Sequence, residues 1–301
     1  MEKYSYFIEK KAMFGSFPNQ KLMEHLDKLG VNYFINLTYD HEKKIKPYKT
    51  DKNTIHFPIK DHDIPNNLLL FSKFILKLID IIKNKDNIIY IHCKGGHGRS
   101  GIVVACLLSL LFKIDGENAI TLTTQYHNTR TDLKHKWKMM GSPQTKKQKI
   151  FVKKFTNPFY FVRSYKNGKS EGFSNFSSHK ISIVDLGNFN SSICAYNAYV
   201  NSHDKKYVNK QETCLNPYRS KYIEIKNNKI ISDTEKIEIM YTILKHKFQQ
   251  NQKIKKNLMN TFLRPIINKN NDEFWGTGKT GNGKNHLGYI LTQIRNEFLC
   301  N

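Results

Sequence analysis

The stretch Asn87-Ile88-Ile89-Tyr90-Ile91-His92-Cys93-Lys94-Gly95-Gly96-His97-Gly98-Arg99-Ser100-Gly101, continued by the apolar run IVVACLLSLLF at 102–112, decides the fold of the amino-terminal half. NIIYIH is short and almost continuously apolar, as expected of a strand buried on both faces of a sheet. It runs directly into a glycine-rich turn and then into an apolar helix. Strand, turn and helix in that order indicate an α/β domain.

The turn carries the chemistry. A phosphate dianion repels nucleophiles, so a site that attacks it must supply positive charge and backbone N–H donors together. Gly95, Gly96 and Gly98 let the backbone curl with its N–H groups inward as an anion nest, and the following helix adds the positive end of its dipole. Arg99, six residues after Cys93, can return to the same phosphate with a two-pronged fork. The electropositive loop also favours the thiolate of Cys93, the nucleophilic form. An inert buried cysteine is the bland alternative, and the nine-residue pattern argues against it.

That pattern, H-C-x-x-G-x-x-R-[ST] from His92 to Ser100, resembles the protein tyrosine and dual-specificity phosphatase family over about residues 1–155. The resemblance implies phosphate-monoester hydrolysis through a phosphocysteine on Cys93, with Arg99 holding the phosphate. Lys94, Gly95, Gly96, His97 and Gly98 complete the phosphate-binding loop. Ser100 would hydrogen-bond the departing thiolate, a plain helix N-cap being its other reading. The leaving group needs a proton from outside the loop. HFPIKDHDIP at 56–65 resembles the family's acid-bearing loop and assigns that role to Asp61, with Asp63 as competitor; both would also suit a turn. Gln148 resembles the glutamine that positions the hydrolytic water in some members, although a solvated helix face explains it almost as well. Asp61-His62 and Lys94 are similar to features of phosphoinositide phosphatases, which leaves the substrate open among phosphopeptide, phosphoinositide and nucleotide.

Working outward, Leu22, Met23, Leu26 and Leu29 at helical spacing predict a helix that stops at Gly30. VNYFINLT and TIHFPI read as extended stretches. Residues 66–83 repeat apolar positions at Leu70, Phe74, Leu78 and Ile82, a long helix with one buried face. Ser142 and Pro143 are expected to start a last helix, as N-cap and first-turn residue, running to about Phe155. Punctuation by Pro and Gly after it places the boundary between a phosphatase domain at 1–156, a linker at 157–168 and a second domain at 169–301.

In the second half, Ser232 and Glu235 form a capping box ahead of Ile237, Met240, Leu244 and Phe248, and a helix near 286–298 closes the chain. Gly276, Gly278 and Gly281 fit G-x-G-x-x-G, and Gly278 to Asn285 falls one residue short of a Walker loop. Both readings require β/α structure that a single remaining helix does not provide. A third reading fits better. Met240, Leu244, Lys247, Phe248, Gln250, Asn251, Thr261, Asp272, Trp275, Gly276, Gly278, Gly281, Asn285, Leu287, Gly288 and Arg295, with EGFSNF upstream, resemble the NADAR, or YbiA-like, family over about 165–298. The resemblance implies a helix-rich α+β domain, a ribose-phosphate or ADP-ribose-type ligand and a candidate N-glycosidase activity, with Asp272, Trp275, Gly276, Gly278 and Asn285 as ligand-site residues. Two glutamates common in that family are missing: one from the region SICAYNAYVNSHDK, the other at the position of Ile267. Asp272 is the acid that remains near Trp275. An oxocarbenium-like transition state would need such a carboxylate.

Bulk properties bound the remaining options. The formal charge of +24 is spread evenly, 27 cationic against 14 acidic residues in 1–156 and 22 against 11 in 157–301, so no basic tail or stripe marks a nucleic-acid site. Nucleic acid is therefore not an expected partner; phosphorylated protein or a small phosphorylated substrate is. Five scattered cysteines form no C-x-x-C pair and suit a reducing, intracellular, cytoplasmic setting. No window approaches the ~20 apolar residues of a membrane helix, so the expectation is a soluble protein without stable membrane association. No metal site and no cofactor are expected. Three functions remain: a bifunctional hydrolase, a phosphatase with a non-catalytic nucleotide-binding module, and a basic nucleic-acid-binding protein.

Overall fold

The computed structural model describes residues 3–39, 42, 45–131, 133–162, 171–225 and 228–300. The chain divides into two compact units, Met1–Asn157 and Pro158–Asn301.

The first unit begins with a hairpin that the sequence reading leaves unassigned, β1 (Tyr4–Ile8) and β2 (Ala12–Gly15). There follow α1 (Gln20–Lys28), β3 (Tyr33–Asn36), β4 (Asn53–His56), α2 (Leu68–Lys83), β5 (Ile89–His92), α3 (Arg99–Phe112), α4 (Gly116–His127), α5 (His135–Met140) and α6 (Lys146–Thr156). The sheet order is β1-β2-β5-β3-β4, antiparallel only between β1 and β2. This is the α/β fold with a mostly parallel sheet read from the sequence. β5 lies at the centre with all four residues buried, which explains its unbroken apolar run. On one side α1 packs Leu22, Met23 and Leu26 beside Met13, Phe34 and Tyr90. α2 buries Phe71, Phe74, Ile75, Leu78 and Ile79 along one stripe, each such side chain contributing about 1.5–3 kcal/mol. α3 packs against α2, α4 and α6 and buries everything from Arg99 to Ser109.

One helix starts later than expected. α6 opens at Lys146, with Thr145 as N-cap: Thr145 Oγ1 accepts from Gln148 N (3.2 Å) and Gln148 Oε1 accepts from Thr145 N (3.1 Å). This capping box displaces the assignment to Ser142 and Pro143. Ser142 instead donates its hydroxyl to the His97 carbonyl at 2.6 Å and so braces the glycine-rich loop.

The second unit contains β6 (Phe159–Phe161), β7 (Ile181–Ile183), β8 (Gly187–Phe189), α7 (Ser192–Val200), α8 (Lys205–Glu212), α9 (Asp233–Gln250), α10 (Gln252–Met259), β9 (Ile266–Asn268) and α11 (His286–Cys300). β6 lies inside the stretch read as linker; its Phe159–Phe161 pair in parallel with β9 and Phe161 enters the core, so the linker reading fails there. Residues 163–168 of that stretch lie outside the described residues. The core joins Phe173, Met240, Leu244, Phe248, Leu287 and Ile294 from the turn at Phe173, α9 and α11. Among the described residues no helix is long and apolar enough to cross a membrane.

Candidate functional site

At the end of β5 the chain enters the loop at Cys93, which is buried. Gly96 adopts φ +72°, and a Cβ there would overlap the Gly15 carbonyl, so only glycine lets the loop lie against the β2 turn. α3 starts at Arg99 with Gly98 as its N-cap and no side-chain cap. Its first N–H groups therefore remain available to an anion.

Arg99 is 1 % exposed and held on three sides. Its NH1 donates to Glu42 Oε2 (2.7 Å) and the Ile59 carbonyl (3.1 Å), and its NH2 to Glu42 Oε1 (2.9 Å). NH2 also pairs with Asp61 Oδ1 at 2.9 Å. Burial pushes the Glu42 carboxyl up, but hydrogen bonds and charge from Arg99 outweigh it and hold the group below its ordinary value. Glu42 is a residue the sequence reading missed: it lies 57 positions from Arg99 and no spacing signals it.

Arg130 is the second missed residue. Buried, it donates from NH1 to the Gly96 carbonyl, from NH2 to the Phe14 carbonyl and from Nε to Ser5 Oγ, all at 3.0 Å. It thereby ties a carbonyl of the glycine-rich loop to the hairpin. The loop histidines carry no charge near neutrality. Burial lowers His92 and His97 to about 3, helped by His56 in the first case and by His127 and Arg130 in the second. Burial likewise lowers His127 to about 4. His92 Nε2 meets the Tyr48 hydroxyl at 2.8 Å, and His97 Nδ1 meets His127 Nε2 at 2.8 Å. The His97 ring, stacked on Trp137, is thus a neutral brace, and Lys94 and Arg99 are the cationic side chains of the loop.

The two acid candidates separate cleanly. Asp61, 49 % exposed, reaches Arg99. Asp63 pairs with Lys147, which with the Ile64 N–H lowers its carboxyl. Gln148 is buried beside Gly98, its amide oxygen spent on the capping box and its nitrogen on the Asp63 carbonyl (3.1 Å). Ser100 Oγ is buried and, like Ser16 Oγ, has no hydrogen-bond partner among the described residues.

In the second unit a cavity of about 640 Å³ is lined by Val162, Asn175, Phe176, Ile193, Asn197, Lys221, Lys269, Asn270, Asn271, Asp272 and Trp275. The structure brings Asp272 and Trp275 to its wall and gives the other three candidates scaffold contacts. Asn285 Oδ1 accepts from Asn268 N (2.9 Å) and its Nδ2 donates to the Ile266 carbonyl (3.0 Å), which fastens the start of α11 to β9. Gly276 lies where a side chain would strike Asn270, and Gly278 takes φ +68°. Asp272 Oδ1 accepts from the N–H groups of Phe274 (2.9 Å) and Trp275 (2.6 Å). Buried Lys247, lowered to about 7 by desolvation, donates to the Ser174 carbonyl (2.9 Å) and Ser177 Oγ (2.7 Å), and so shapes the turn that presents Asn175 and Phe176. Arg295 similarly ties Thr261 Oγ1 (3.1 Å) to the Arg264 carbonyl (2.5 Å). α7, which comes from the glutamate-lacking region, contributes Ile193 and Asn197 to the wall. The cavity lysines, 221 and 269, had no sequence signal among so many others.

Comparison with known proteins agrees with both halves. Residues 3–152 match the model of the DSP-PTPase phosphatase domain of Swiss Army Knife proteins, and residues 159–299 match the NADAR domain. The chain is 30% identical over 297 residues to the "Putative tyrosine phosphatase 197R" of Invertebrate iridescent virus 6, covering 97% of this chain and 91% of that one. It is 37% identical over 164 residues to the "Putative tyrosine phosphatase 067L" of Invertebrate iridescent virus 3, covering 53% and 68%. Over 66 residues it is 33% identical to the N-glycosidase YbiA of Shigella boydii serotype 4 (strain Sb227), covering 22% of this chain and 41% of that one. The chain therefore belongs to the family of the putative tyrosine phosphatase 197R and carries a DSP-PTPase phosphatase domain followed by a NADAR domain.

Proposed function

We propose that the first unit hydrolyses phosphate monoesters through a covalent phosphocysteine on Cys93. The Cys93 thiolate attacks phosphorus, the bond from phosphorus to the ester oxygen breaks, and protonated Asp61 gives its proton to that oxygen. Water then attacks the phosphocysteine, the Asp61 carboxylate takes a proton from it, and sulfur leaves as a thiolate that the unpaired Ser100 hydroxyl can meet. Lys94, the loop N–H groups of residues 94–99 and Arg99 hold the phosphate oxygens, the Arg99 NH2 donor passing from Asp61 to the phosphate when substrate enters. The observation that carries this reading is the Asp61–Arg99 contact at 2.9 Å, which puts a carboxyl beside the phosphate-binding guanidinium. Gln148, with its amide engaged in two other contacts, has the weaker claim to positioning the water.

Asp61→Asn is expected to slow hydrolysis of an alkyl phosphate by roughly a hundredfold or more and that of an ester with an acidic leaving group far less. Asp63→Asn should leave both rates near wild type. The check is kcat/KM across phenyl phosphates of graded leaving-group acidity; a steeper dependence in Asp63→Asn and none in Asp61→Asn would reverse the assignment.

For the second unit we infer recognition of an anionic ribose derivative of the ribose-phosphate or ADP-ribose type. Lys221 and Lys269 would meet phosphate, the four asparagines would meet hydroxyls, and Trp275 and Phe176 offer aromatic faces. Binding is favoured over base cleavage because, among the described residues, Asp272 is the one carboxylate on the cavity wall, and its Oδ1 is already occupied. In titration calorimetry of the full chain with ADP-ribose, Lys221→Ala and Lys269→Ala should each weaken binding about tenfold or more. Heat unchanged by both variants would remove the cavity as the ligand site. Release of free base that Asp272→Asn abolishes would make this unit an N-glycosidase instead.

A further inference from the structure

None of the six residues of α5 is buried. The helix is pinned by Trp137, which stacks on His97 with ring centroids 4.7 Å apart, and by Lys149, whose Nζ donates to the Met140 carbonyl at 3.1 Å. It presents Met139, 75 % exposed, and Met140, 41 % exposed; on α6 Ile150 is 41 % exposed as well. Exposed cations surround these apolar groups: Lys134, Lys136 and Lys138 around α5, and Lys146 and Lys154 one turn either side of Ile150. No Asp or Glu occurs between residues 133 and 170. Lys147 and Lys153 on α6 are paired with Asp63 and Glu117, and Lys134, Lys136, Lys138, Lys146 and Lys154 stand exposed beside them.

We propose that this corner of the phosphatase unit docks reversibly on an anionic membrane surface. Lysines attract anionic headgroups, and flexible, polarizable methionine side chains can insert among them. Met139 protrudes, which suits insertion; a bound peptide would need a concavity to bury its anchors. The placement is also informative. Trp137 rests on the phosphate loop through His97, and Lys147 on α6 pairs with Asp63 in the acid loop, so the surface borders the catalytic mouth. Contact of this kind is peripheral and needs no spanning helix. It does not depend on which phosphoester the loop hydrolyses.

The test is co-sedimentation of the full chain with vesicles of phosphatidylcholine alone or mixed with phosphatidylserine, at low and high salt. Wild type should prefer the anionic vesicles by about tenfold or more and lose that preference at high salt. Lys136→Glu with Lys138→Glu should weaken binding by more than about tenfold. Met139→Ser with Met140→Ser, which leaves charge unchanged, should weaken it several-fold. Both double variants should hydrolyse a soluble aryl phosphate like wild type, which shows that they fold. Equal binding to the two vesicle types, or wild-type binding by both variants, would overturn the proposal. So would loss with the charge variant alone together with displacement by duplex RNA, which would make the surface a general polyanion site.

Discussion

Cys93→Ser should abolish phosphate release from aryl phosphates, a loss of at least about a thousandfold in kcat, while thermal unfolding stays close to wild type. Serine keeps the shape of the buried side chain, and its hydroxyl is far less acidic than a thiol, so the attacking anion is scarcely formed. The cradle itself is built from backbone groups, Lys94 and Arg99 and stays intact. The variant should therefore still bind inorganic phosphate or vanadate, as competition against a fluorescent phosphate ester would show. Residual turnover near the wild-type rate would mean that another group attacks phosphorus.

Arg99→Lys should lower kcat/KM by roughly a thousandfold. A lysine offers one point charge where the guanidinium offers a planar fork, and it would have to replace four contacts at once: two oxygens of Glu42, the Ile59 carbonyl and Asp61. The substitution also leaves Glu42, 11 % exposed at its side chain, without the two-pronged partner that meets both of its oxygens. Glu42→Gln serves as the companion variant: it keeps the shape, loosens the grip on Arg99 and should cost less, chiefly in kcat. The sign of the pH effect follows from the depressed Glu42 carboxyl. The stability it contributes is present above its ordinary carboxylate range and is lost as pH falls through its lower folded value. Acid unfolding of Glu42→Gln should accordingly be shallower than that of wild type. A kcat/KM for Arg99→Lys within tenfold of wild type would show that the loop binds phosphate without the fork.

The parts of the protein legible in the sequence are those with local patterns. β5, the loop and α3 are contiguous, and their order carries both the fold class and the nucleophile. The capping box at Ser232 and Glu235 and the apolar stripes of α2 and α9 were equally local. The start of α6 was misread because two capping signals lie three residues apart, and the tertiary bond from Ser142 to His97 decided between them. The hairpin β1/β2 carried no turn of the Asn-Gly kind that marks hairpins. Long-range partners were out of reach, yet one signal had been available. Only six arginines occur among 49 cationic residues, at 99, 130, 163, 219, 264 and 295. Arg99, Arg130 and Arg295 are buried and hold carbonyls or carboxylates with several donors each. In a lysine-rich chain, these three arginines stand where a buried fork meets several partners at once. In the second unit the motif residues Lys247, Asn285 and Arg295 proved to be the frame, because a recurrent pattern marks whatever holds a turn as readily as whatever touches a ligand.

The central claim is a covalent intermediate on one sulfur atom. Full-length protein mixed with excess aryl phosphate, quenched in acid within the first turnover and digested for mass spectrometry, should yield a phosphoryl group on the peptide that carries Cys93, absent from Cys93→Ser and accumulating if the second step is slowed. Turnover at the full rate with Cys93 unlabelled, or with the phosphoryl group on His97 or His127, would contradict the account.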